Sequence, residues 1–66
     1  MKPWREEKKS VIVLLDGTLL EFYSNDKQVK VEAWKGVLVK QSIFSVEDAR
    51  NLARKALACG GKWLYK

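Results

Sequence analysis

From residue 11 to residue 39, apolar and polar positions alternate in the manner of an antiparallel meander. Asp16-Gly17 lies between two apolar runs, and such a pair suits a two-residue hairpin loop, whose central positions need φ > 0. That loop sets Leu15 opposite Thr18, Val13 opposite Leu20 and Val11 opposite Phe22. A polar loop over 24–27 then sets Tyr23 opposite Gln28, Phe22 opposite Val29, Leu20 opposite Val31 and Thr18 opposite Ala33. Both turns deliver Val11, Val13, Leu20, Phe22, Val29, Val31 and Ala33 to one face. The opposite face mixes Ile12, Leu14, Leu19, Glu21, Tyr23, Lys30, Glu32 and Trp34. After Trp34, a three-residue loop with Gly36 left-handed predicts a fourth strand over about 37–41. Val37 and Val39 then face the core and Leu38 and Lys40 the mixed face, which avoids burying Lys40.

The period changes at Ser45. Ser45-Val46-Glu47-Asp48 places a capping hydroxyl and two carboxylates where a helix begins. Val46, Ala49, Leu52, Ala53, Ala56 and Leu57 then recur at three and four residues, leaving Glu47, Arg50, Asn51, Arg54 and Lys55 outside the stripe. This predicts a helix from 46 to about 59, ended by Gly60-Gly61 and laid across the core face of the sheet. Cys59 reads as a small apolar residue on the buried side of the last turn. The tail over 62–66 alternates basic with aromatic or apolar residues and suits a short fifth strand at a sheet edge, with Trp63 and Tyr65 on one face. The fold class is α+β: a four-stranded antiparallel meander sheet with one C-terminal α-helix packed on one face, and the fifth strand an addition. Residues 1–9 read as a flexible basic arm and 10–66 as a single small domain. Trp4 in that arm either caps an open end of the sheet or stacks on a partner.

Composition narrows the chemistry. With one cysteine and no histidine among 66 residues, neither an internal disulfide nor a conventional zinc site can be assembled. No cofactor is expected. Catalysis is not expected either, since Asp16 serves a turn and Glu21 and Glu32 pair with Lys30 and its neighbours. The lone thiol suggests a reducing compartment, and no apolar run reaches the length of a membrane span. Signal peptide and span are therefore both unexpected, and the location is read as intracellular, cytoplasmic. A domain this small with apolar groups on both sheet faces is expected to gain stability from a homodimer.

Formal charge is +5, which favours association with polyanions. Tyr23 and Trp34 as stacking surfaces, with Lys27, Lys30, Lys35 and Lys40 around them and Lys62 and Trp63 in the tail, form a candidate platform for single-stranded DNA or RNA with little sequence preference. The alternative is a small regulator or inhibitor that binds a protein partner through a sheet edge or the mixed face, where Ile12, Leu14, Leu19, Leu38 and Trp34 form an apolar patch rimmed by lysines.

Four strands followed by one capped helix, with the run Ile43-Phe44-Ser45-Val46-Glu47-Asp48-Ala49-Arg50-Asn51-Leu52 at the junction, resemble the positive-cofactor-four family of transcriptional coactivators. The similarity covers the last two strands and the helix. It implies a dimer that binds single-stranded DNA on its sheet surface, with Lys30, Trp34, Lys35 and Lys40 at comparable strand positions.

Overall fold

The computed structural model describes residues 8–25 and 27–65. Five strands and one helix follow in the order β1 Lys8–Val13, β2 Leu19–Ser24, β3 Gln28–Lys35, β4 Val37–Ser45, α1 Val46–Ala58 and β5 Lys62–Tyr65. All pairings are antiparallel, and the sheet order is β4-β3-β2-β1-β5. The meander, the single helix on one face and the fifth strand are thus present. β1 takes in Lys8 and Lys9, which the sequence reading gave to the arm. Residues 1–7, with Trp4, lie outside the described residues.

The first hairpin is one residue longer than the Asp-Gly pair suggests. Gly17 N–H donates to the Leu14 carbonyl at 3.0 Å, and Leu14 N–H donates to the Thr18 carbonyl at 2.8 Å. Leu14 therefore faces Thr18 across a loop of three residues, 15–17. A two-residue loop would need φ > 0 at Asp16 as well as Gly17, and only the glycine takes it, at +91°. Asp16 instead accepts from Thr18 N–H through Oδ1 at 2.9 Å. The slip is by one, so β1 turns over: Ser10 lies opposite Phe22 and Ile12 opposite Leu20. Ile12 and Leu14 face the helix, whereas Val11 and Val13 take the mixed face.

The second hairpin is tighter than expected, and this error is harmless. Asn25 N–H donates to the Gln28 carbonyl, while Asn25 Oδ1 accepts from Lys27 and Gln28 N–H at 3.0 and 2.8 Å. Phe22 pairs with Val31 and Leu20 with Ala33. The slip is by two, which conserves the faces.

β4 departs in both length and parity. Gly36 is left-handed at +79° as expected, but the register shifts between Ala33 and Trp34, pairing Trp34 with Leu38 and Ala33 with Lys40. Val39 is the extra residue of a bulge. Lys40, Ser42 and Phe44 consequently share the face of Ala33, Val31 and Val29. Val37 and Val39 are not core residues but 68% and 64% exposed. The premise that Lys40 must avoid this face does not apply, because Lys40 stays exposed there.

Ser45 caps α1 as its sequence indicates, accepting from Asp48 N–H at 3.1 Å. The helix leaves the β4 edge and contacts β3, β1 and β5. Its 13 residues span about 20 Å, and four inter-strand spacings amount to about 19 Å. It therefore carries the chain from one edge of the sheet to the other. Ala49 and Ala56 are buried with Ile12, Phe22, Val29 and Val31, and Leu14, Leu20, Phe44, Leu52, Ala53, Leu57 and Trp63 close around them. Val46, at the first turn, is exposed, as is Cys59, the C-cap residue, which had been expected on the buried side.

The helix ends in a Schellman turn, with Gly60 N–H donating to the Leu57 carbonyl and Gly61 N–H to the Ala56 carbonyl at 2.9 Å. The reversal sends β5 back along β1, with Trp63 opposite Ile12 and its ring centroid 6.2 Å from that of Phe22. A register shift between Val11 and Ile12 interrupts the expected alternation of the tail, and the Tyr65 side chain lies outside the described residues.

Gly61 is buried without positive φ, so its requirement is space. A Cβ there would lie 2.8 Å from the Ala56 carbonyl oxygen and 3.1 Å from Ile12 Cγ2. Gly61→Ala is expected to destabilise the domain by about 1–3 kcal/mol in urea unfolding followed by circular dichroism. Unchanged stability would mean that the helix end does not seat on β1 as described.

Candidate functional site

Strand register arranges the mixed face in three rows. The first runs Leu38, Trp34, Leu19, Val13, Lys62; the second Gln41, Glu32, Glu21, Val11; the third Ile43, Lys30, Tyr23, Lys9. Tyr23, Lys30 and Trp34 are therefore on one surface, as the sequence suggested, but two carboxylates lie directly opposite each other between them. Like charges so placed are unfavourable, and the flanking residues offset this. Tyr23 Oη donates to Glu21 Oε1 at 2.6 Å. Trp34 Nε1 donates to Glu32 Oε1 at 3.0 Å, and Lys30 Nζ lies 3.4 Å from Glu32 Oε2. Lys30 Nζ is also 5.2 Å from the centroid of the Tyr23 ring. The pairing of Lys30 with Glu32 runs along β3, at i and i+2, not across strands.

These contacts alter what the face can do. Lys30 and Glu32 side chains are only 17% and 13% exposed, and the ammonium is shared between a carboxylate and an aromatic ring. With Lys30 engaged by Glu32 and by the Tyr23 ring, and with Glu21 and Glu32 opposite each other, the centre of the face is a poor cradle for phosphates.

The remaining lysines of the candidate platform are dispersed. Lys27 is exposed in the β2–β3 turn, and Lys62 is exposed at the start of β5, on the row of Trp34 but three strands away. Lys35, at the end of β3, lies 3.5 Å from Asp16 across two turns. Lys40 projects from the helix side of β4. Trp63 belongs to the helix-side core. The eight candidate residues thus divide between both faces and two turns.

The sequence reading named a sheet edge without saying which strand, and it did not find the groove beside α1. The edge is β4, an outer strand on which Leu38 and Ile43 are exposed in addition to Val37 and Val39. Finding it requires knowing that β5 joins β1 and leaves β4 open, which local pattern does not tell. The groove, of about 390 Å³, has Arg50 and Arg54 on its rim. Its signal was present in the i, i+4 arginines outside the apolar stripe. Among the described residues no helix is long and apolar enough to cross a membrane, and no cluster of metal-ligating side chains occurs.

No family model matches the chain, and no curated protein or solved structure does either.

Asp16 ties the two turns at one end of the sheet. Thr18 N–H, followed by the Thr18 hydroxyl and then the Lys35 ammonium, holds its carboxyl below the ordinary carboxylate value. A lowered folded value contributes stability above the ordinary value and loses it as pH falls through the folded one. Urea unfolding of the wild-type chain and of Asp16→Asn should therefore differ most near neutral pH and converge in acid. A gap that stays constant with pH would show that the charge of Asp16 contributes nothing.

Proposed function

We propose that this chain is a non-enzymatic, intracellular binding module that engages another protein through the open edge of β4. The observation that carries this reading is an outer strand of nine residues on which four aliphatic side chains are exposed and Lys40 is the single charge. An edge strand presents unpaired N–H and C=O groups to any extended segment, and side chains on alternate positions then supply specificity. Edge strands that avoid association usually carry more charge or a proline. The bulge at Val39 blunts one end of β4, leaving the stretch toward Ser45 regular. A second copy of the chain can use the same edge, and the proposal includes a homodimer.

Single-stranded nucleic acid is the second reading. It is favoured by the +5 charge, by exposed Lys27, Lys35 and Lys62 at the margins of the mixed face, and by the resemblance to the positive-cofactor-four family. Under this reading Trp34 stacks on bases while the central carboxylates hold its ring in place.

Sedimentation and oligonucleotide titration separate the two. On the first reading, wild-type protein at about 100 μM sediments with a concentration-dependent mass, and Ile43→Lys returns it to monomer without unfolding. Monomer alone at that concentration ends the homodimer part. On the second reading, labelled single strands bind at low salt, and Trp34→Ala weakens binding at every salt concentration. Each neutralised phosphate adds about 0.7 to the salt slope. A folded protein that does not bind at low salt excludes it.

A further inference from the structure

The groove beside α1 has an apolar floor that includes Phe22, Val29, Ala53 and Trp63, and Arg50 and Arg54 stand at its rim. Among its described lining residues there is no Asp or Glu. Neither arginine makes an ion pair among the described residues. The groove lies on the helix side of the sheet, away from the Glu21 and Glu32 row, and Glu47 borders the adjoining hollow beside the same two arginines.

We infer that this groove takes an extended segment of a protein partner that carries carboxylates at alternate positions with apolar residues between them. Two spacings agree. Arg50 and Arg54 are one turn apart on α1, about 6 Å along the axis, and alternate residues of an extended chain stand on one side about 6.7 Å apart. Each guanidinium then meets its own carboxylate through paired N–H donors. A ligand with a single anionic group leaves one arginine unmatched. The apolar floor favours a segment with apolar side chains between its carboxylates, while the rings of Phe22 and Trp63 make a nucleotide the rival occupant that the oligothymidylate probe below tests. A groove of about 390 Å³ accommodates a few side chains and is within the usual range of pockets. This proposal does not depend on the β4 edge, and either can fail without the other.

Two-dimensional amide NMR of the full chain tests it with three probes: acetyl-Glu-Val-Glu-Val-amide, its Gln-Val-Gln-Val counterpart and a short oligothymidylate. The acidic peptide should shift the Trp63 indole and Ala53 amide signals and leave the Trp34 indole, on the other face, in place. It should bind about tenfold more tightly than the glutamine peptide, the difference expected of charge-assisted over neutral hydrogen bonds. Arg50→Gln and Arg54→Gln should each remove most of that preference while melting at the wild-type temperature. Equal affinity for both peptides would overturn the inference. So would variants that keep the preference, shifts centred on Trp34 or β4, or a stronger response of the same signals to oligothymidylate.

Discussion

A helix that starts at one edge of a sheet and ends at the other must run close to every strand it crosses, and the rest of this domain is fitted to that demand. α1 meets it with small residues, since Ala49 and Ala56 are its buried positions while larger Leu52 and Leu57 spread to the sides. At the far end Gly61 lets the Ala56 carbonyl and Ile12 share one small space. On the β1–β2 loop, the exposed Leu15 side chain lies where a side chain on Gly60 would go, but its flexible end is free to move aside. Interiors packed at this density do not accept even one extra carbon without movement nearby.

How much of this was legible follows from parity. The extent of the helix was readable because its signals are local: Ser45 as cap, the acidic first turn, the apolar period and the terminal glycine pair; the exposure of Val46 and Cys59 at its two ends was not. Strand existence was readable for the same reason. Strand faces depended on counting residues through each turn. An error of two at Asn25 left Phe22, Val29 and Val31 on the right side, whereas an error of one at Asp16 exchanged Val11 and Val13 for Ile12 and Leu14. Ile12 belongs to the buried cluster against the helix, whereas Val11 is buried on the opposite face, outside that cluster. With β-branched or aliphatic residues at every position from 11 to 15, the sequence of β1 suits either orientation, and only the φ of Asp16 decided between them.

The candidate site was less legible because it depends on distances between elements. Tyr23, Lys30 and Trp34 do share a surface, but so do Glu21 and Glu32, and a residue count of lysines and aromatics does not reveal that each is held by a neighbouring carboxylate. The positive charge is accordingly not gathered around the aromatic rings alone. Much of it is found on turns, on the outer strand and along α1, whereas Glu21 and Glu32 stand opposite each other at the centre of the mixed face. A charge excess argues for association, and the fold decides on which side the association takes place.

The pairing of β5 with β1 has a further consequence for the order of assembly. Both hairpins join neighbours in sequence and can form early, since short loops close at little entropic cost. Val13 and Lys62 meet only across nearly the whole domain. Such long-range pairing is slow to form, and β5 is also the shortest strand and an outer one. It is therefore the element most ready to detach first under stress. Its departure would uncover Trp63 and one side of Phe22 together, opening the core from the edge opposite β4.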